Sequence, residues 1–197
     1  MTTIASDLTY LTGWIKVYEN AISDDFCNLL INFFEEQQKS IMDANWRRCL
    51  AYSGLDSSPL WSEFVEVIKN IFDRYKLDMR NTILNFVSVI EAPNIFKYNV
   101  NLESPNLFHR HADNWSMDTA SRQVSIIIYL NDVDQGGETN FTELKTSVSP
   151  KKGRILMFPS FYTYLHEGVP PLSGPKYIAV SWLHFNGEGH RYRCHKM

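Results

Sequence analysis

From about residue 84 onward the chain is a series of short runs rich in β-branched and aromatic residues: FVSVIEA, NIFKYNV, VSIIIYL, GRILMF and KYIAVSWLHF. Turn-forming stretches separate them: APN, NDVDQGGE, SPKKG and PPLSGP. Short strands alternating with Gly, Pro, Asn and Asp clusters predict an antiparallel sandwich or barrel.

The N-terminal part has a different period. WIKVYE (14–19) alternates enough to be a strand. In the next segment Phe26, Leu29, Leu30, Phe33 and Phe34 recur at i, i+3, i+4, i+7 and i+8, which is one face of a helix. Ser23 is placed to cap it, and Asp24 and Asp25 suit the positive end of its dipole. A second helix is expected from SSPLWSEFVEVIKNIFDRY, with Pro59 at its first position and an apolar stripe of Trp61, Phe64, Val65, Ile68, Phe72 and Tyr75. The fold class that follows is mainly β with flanking helices (α+β): a jelly roll, or double-stranded β-helix, with N-terminal helices packed on it. One domain over 1–197 is expected, with helical support at about 20–80 and a jelly-roll core at about 84–186.

Composition narrows the function classes. The net charge of −3 supplies no global basic field for nucleic acid, so no nucleic-acid partner is expected. No apolar run approaches 18 residues, which argues against a membrane span. The three cysteines lack CxxC spacing, and the N-terminus does not read as a secretory signal. A reducing, cytoplasmic location is expected.

The chemistry is concentrated in FHRHADNW (108–115). On a strand His109, His111 and Asp113 would share a face, because alternate residues project the same way. Two ligands hold a catalytic metal poorly. Downstream, His166, His184, His190 and His195 are candidates for a third, and His166 stands out in YLHEGVPP between two strand-like runs. Two histidines and a carboxylate suit non-haem Fe(II), and zinc is the rival use of such ligands. Lys176 opens the apolar strand KYIAVSWLHF. A lysine facing into such a strand needs an anionic partner, which a metal-chelated dicarboxylate would supply, whereas one at the strand's solvent end needs none. Tyr98 and Tyr129 end their strands and are able to donate to a buried carboxylate, or are plain core.

Taken in order, HAD, RQVSIIIYLND, GGETNF, VSPKKGRILMF and LHEGVPPLSGPKYIAVSW resemble the prolyl 4-hydroxylase branch of the Fe(II)/2-oxoglutarate-dependent oxygenases over about residues 95–185. The opening IKVYENAISDDFCNLLI is similar to that branch's first strand and helix. The resemblance implies that His111, Asp113 and His166 bind Fe(II). It implies that Lys176, helped by Tyr129, pairs with the distal carboxylate of 2-oxoglutarate, with Tyr98 and Thr139 near the cosubstrate. Arg122 and Trp182 match positions near the substrate channel. It further implies a dioxygenase that consumes O2, with ascorbate in support, hydroxylates a prolyl residue in a protein or peptide and releases succinate and CO2. The same chemistry on a free amino acid or small metabolite, or a non-catalytic jelly-roll module, are the alternatives. Two departures bear on specificity: Phe108 stands where the family usually has tyrosine, and the loop from Tyr98 to His111 is longer than usual. Segments 53–60 and 99–110 are turn-rich enough to serve as substrate lids.

Overall fold

A computed structural model describes residues 12–44, 47–100, 107–186 and 193–197. Most of the predicted long loop, 101–106, lies outside the described residues.

The predicted helices form with adjusted edges. Helix α1 spans Asp24–Glu36, and the Ser23 side chain accepts the Phe26 N–H as the cap. Its buried residues are Phe26, Cys27, Leu30 and Phe34, whereas Leu29 is 48% exposed. At 100° per residue Leu29 lies about 110° from the centre of that buried arc, so the apolar stripe is centred one step away from the predicted face. Helix α2 spans Trp61–Met79 and buries Phe64, Ile68, Phe72 and Tyr75. Pro59 falls ahead of it rather than at its first position. The Trp61 N–H bonds to Ser58 O at 3.2 Å, closing a turn in which Pro59 holds the second place, where its fixed φ is favoured. The turn-rich segment 53–60 is pinned down: Leu55 is fully buried, and Asp56 pairs with Arg193 and His195. The expected lid does not form there.

The described residues also form thirteen antiparallel strands: β1 (Lys16–Tyr18), β2 (Ser40–Ala44), β3 (Arg47–Ser53), β4 (Val87–Glu91), β5 (Asn94–Tyr98), β6 (Phe108–His111), β7 (Arg122–Tyr129), β8 (Thr139–Phe141), β9 (Thr146–Val148), β10 (Ile155–Pro159), β11 (His166–Gly168), β12 (Lys176–Phe185) and β13 (Cys194–Lys196). The main path runs β1-β10-β7-β12-β5-β3-β6-β11-β8-β9. It curls into a nearly closed jelly roll. A large face holds β7, β10, β12 and β5. A small face holds β6, β11, β8 and β9. The two join where Arg47 of β3 pairs with Phe108 of β6. No described helix is long and apolar enough to cross a membrane.

Strands β7 and β12 carry mostly apolar runs because both of their faces are covered. Ile126, Ile128, Ala179 and Leu183 pack against α1 and α2. Ile127, Tyr129, Ile178, Val180 and Trp182 point into the barrel with Phe96, Phe141 and Phe158. The barrel interior opens into a cavity of about 530 Å³.

Candidate metal centre

His111 ends β6 and His166 begins β11. The antiparallel register sets the two residues directly opposite each other, so their rings meet as a cross-strand pair with centroids 4.4 Å apart. Asp113 arrives differently from the strand alternation expected. The strand stops at His111, and a turn swings Asp113 inward, leaving it 6% exposed. Its Oδ1 stands 3.4 Å from His111 Nε2 and its Oδ2 3.8 Å from His166 Nε2. All three donor atoms lie within 4.8 Å of one another. Donors about 2.1 Å from one ion and at right angles stand ~3 Å apart, so the cluster has the dimensions of a single-ion site. His109 does not join it. Its side chain is exposed.

Each histidine is oriented by its own chain. His111 Nδ1–H donates to His109 O at 2.8 Å, and His166 Nδ1–H donates to Tyr164 O at 3.1 Å. Both bonds place a proton on Nδ1 and leave Nε2 as the nitrogen turned toward Asp113 and available to a metal ion. His111 Nε2 is buried with no hydrogen-bond partner, an orphan that a metal ion would satisfy. Asp113 Oδ2 accepts the Ser125 hydroxyl at 2.5 Å, and Ser125 in turn meets Ser160 Oγ at 2.9 Å. Burial alone would raise the Asp113 carboxyl, but the His166 and His111 imidazoles and the Ser125 hydroxyl outweigh it and hold the group far below the carboxylate range. Burial lowers His166 to about 4 despite the neighbouring Asp113. A carboxylate and two neutral imidazoles are the protonation states a divalent ion needs. The donor set fits Fe(II).

Lys176, the first residue of β12, is 2% exposed and lines the same cavity. Its ammonium donates to Gly137 O at 2.9 Å and sits 4.8 Å from the Tyr98 ring centroid. Burial pushes it down to about 8, with Glu138 opposing and Arg47 adding to the fall. The Gly-Gly turn sets up that contact. Gly136 and Gly137 adopt φ of +72° and +81°, and a Cβ on Gly136 would fall 2.3 Å from Pro170 O. Thr139, just past the turn, lines the cavity. Tyr129 reaches the site only at one remove: its buried hydroxyl donates to Thr139 Oγ1 at 2.6 Å, and the residue is not part of the cavity wall. Tyr98 does line it, accepting from Arg47 Nη2 at 3.2 Å, with its own proton held up to about 12 by burial.

Arg122 and Trp182 border the cavity beside Asp113. The guanidinium stacks 3.5 Å from the Trp182 ring centroid, donates to Asp113 O at 3.3 Å, and pairs with buried Glu91 at 2.6 and 2.9 Å. His184 Nε2 also meets Glu91 at 3.1 Å. Phe108 stacks on His111 with centroids 3.6 Å apart.

Sequence reasoning missed two residues that touch the cluster or line the cavity. Ser125 sits among isoleucines and carries no outward signal. Arg47 was findable: in RRCLAYS, Arg47, Cys49 and Ala51 are the inward members of an alternating strand.

The 2OG-Fe(II) oxygenase superfamily matches residues 96–184. Prolyl 4-hydroxylase subunit alpha-1 of Gallus gallus is 36% identical over 85 residues, which is 40% of this chain and 16% of that protein. The alpha-3 subunit of Rattus norvegicus is 27% identical over 156 residues, 75% of this chain and 24% of that one. The chain thus spans about a sixth to a quarter of the curated relatives it matches. Among solved structures, the viral collagen prolyl hydroxylase of Paramecium bursaria Chlorella virus-1, in its 2-oxoglutarate complex, superposes with a TM-score of 0.66 at 22% identity, covering 87% of this chain and 96% of that one. A prolyl hydroxylase from Trichoplax adhaerens, bound to a hypoxia-inducible-factor peptide fragment, gives 0.68 at 18% identity, covering 90% and 87%. The matched residues hold the His111–Asp113–His166 cluster and Lys176, and over this stretch the chain is similar to the 2OG-Fe(II) oxygenase superfamily and, within it, to the prolyl 4-hydroxylases.

Proposed function

We propose that the protein is an Fe(II)- and 2-oxoglutarate-dependent dioxygenase that hydroxylates a prolyl residue in a protein or peptide, releasing succinate and CO2. The observation that carries this is one cavity lined both by the His111–Asp113–His166 cluster and by the buried ammonium of Lys176. A dicarboxylate fits that pairing, with one end at the metal and the other on the lysine.

Bound at the cluster, Fe(II) supplies oxygen activation coupled to oxidative decarboxylation of 2-oxoglutarate. The residues of the chain do the rest. His111 and His166 present Nε2 lone pairs held by their backbone bonds, and Asp113 adds the charge that Ser125 steadies. Lys176 takes the distal carboxylate, with the Thr139 hydroxyl alongside, itself held by Tyr129. Ile127, Ile178 and Val180 wall the cavity with hydrocarbon and keep bulk water from the reacting atoms. Arg122 and Trp182 border the side from which a substrate ring would approach Asp113.

Purified protein given Fe(II), ascorbate, 2-oxoglutarate and a Pro-Pro-Gly peptide should release succinate and add one oxygen to proline, read by mass spectrometry. His111→Ala and His166→Ala should bring both signals to background, while His109→Ala retains them. Turnover that persists in the first two variants would sink the metal assignment.

A further inference from the structure

Arg47 is a buried cation that the reaction as described does not use. It is 8% exposed and lines the cavity. Its guanidinium carbon sits 3.8 Å from the Phe96 ring centroid and 4.0 Å from that of Phe108, so two phenyl rings sandwich the group. Nη2 donates to the Tyr98 hydroxyl, and Nε is buried with no partner. No carboxylate among the described residues pairs with it. Two other carboxylates border the cavity: Glu167 accepts from Asn140 and Thr142, and Asp118 is at the exposed rim. A buried charge held by ring faces, a phenol and the Cys49 thiol, all of them neutral, is costly unless an anion arrives from outside.

Charge balance says which molecule brings that anion. A divalent ion, the Asp113 carboxylate, the Lys176 ammonium and a doubly charged 2-oxoglutarate sum to zero. Glu91 cancels Arg122. Arg47 keeps no carboxylate of its own after the cosubstrate has bound, because Glu167 is held by Asn140 and Thr142 and Asp118 stands at the exposed rim. Phe108 ties it to the reacting centre, because the ring that stacks on Arg47 also stacks on His111. The planar fork of a guanidinium is suited to a carboxylate.

We propose that Arg47 is a second anion subsite, which receives a carboxylate carried by the substrate, so that the enzyme selects prolyl substrates with a carboxylate close to the reacting ring. The proposal rests on the oxygenase function above and names its substrate class. The carboxylate has two possible sources: an acidic side chain beside the proline, or the C-terminal carboxylate of the peptide.

The test is a panel of short Pro-Pro-Gly peptides, acetylated and amidated. Each differs by a single Glu or Gln beside a proline, and one further member carries a free C-terminal carboxylate in place of the amide. Binding is read by fluorescence anisotropy without oxygen, on protein loaded with Mn(II) and 2-oxoglutarate. At least one carboxylate-bearing peptide should bind ~10-fold tighter than its neutral isostere, which is about 1.4 kcal/mol. The Glu and C-terminal members tell the two sources apart. Arg47→Gln should abolish that ratio. Arg47→Met, which keeps an unbranched chain between the two rings, replaces it if the glutamine variant does not fold. Equal affinity across the panel, or no binding at all, overturns the proposal. So does a preference that survives the substitution, or a variant that loses 2-oxoglutarate affinity instead. Succinate release by the unsubstituted enzyme separates the two levels: release without any carboxylate preference removes the Arg47 subsite alone, and no release with any peptide removes the oxygenase function.

Discussion

Lys176 sets a pH limit on cosubstrate binding. Its ordinary value is 10.5, and burial lowers it to about 8. A fall of that size on a residue 2% exposed corresponds to roughly 3 kcal/mol held against the charged form. The sign follows from linkage. Between pH 8 and 10.5 the unfolded chain binds the proton that the folded chain has released, so stability of the free protein rises with pH through that window. Cosubstrate binding runs the other way, because a carboxylate needs the ammonium. If only the protonated form binds, affinity for 2-oxoglutarate falls roughly five-fold from pH 8 to 9 and ~50-fold by pH 10. Titration calorimetry on Mn(II)-saturated protein, in buffers of different ionisation enthalpy, should also show about one proton taken up per ligand well above pH 8. Lys176→Met should bind weakly with no slope. A flat affinity between pH 7 and 9.5, or a slope that survives in Lys176→Met, refutes this account of the lysine.

Two further substitutions probe the supports of the site. Ser125→Ala removes the hydroxyl that donates to Asp113 at 2.5 Å, and Mn(II) affinity by calorimetry should fall ~10–100-fold; an unchanged dissociation constant would mean Asp113 needs no such support. Glu91→Gln leaves Arg122 and His184 without their shared buried carboxylate, which should cost roughly 3 kcal/mol and lower Tm by roughly 6–12 °C in a thermal melt. A Tm within a degree or two of the parent would show that the network carries no net stability.

The helices and the large face of the barrel were legible in the sequence because each spans enough residues for its period to register. The small face was not. β8, β9 and β11 have three residues each, too few for an alternation of period two to register, and their pairing is settled by partners distant in sequence. The hairpin β2–β3 hid behind the polar residues of SIMDA and RRCLAYS. The candidate ligands come together by a different geometry from the one that strand spacing suggests. Strand alternation would have recruited His109 with His111 and Asp113, yet the strand ends at His111 and a turn brings in the acid. His166 stood out locally through YLHEGVPP between two strand-like runs, and the ordered motifs reinforced that reading. The resemblance has Tyr129 assist Lys176, and its hydroxyl donates to Thr139 Oγ1, a contact that strand position alone does not reveal.

The central strand β7 is a partition between two chemistries. Ile126 and Ile128 answer to the helices, and Ile127, one position away, answers to the cavity. Change at Ile127, Ile178 and Val180 would reshape the cavity while the contacts with the helices, made by the other face of the same strands, stay in place. Such a barrel is free to diversify: its acceptance of new substrates and its foldedness are encoded in alternate letters of the same strands, and drift in one set need not be paid for in the other.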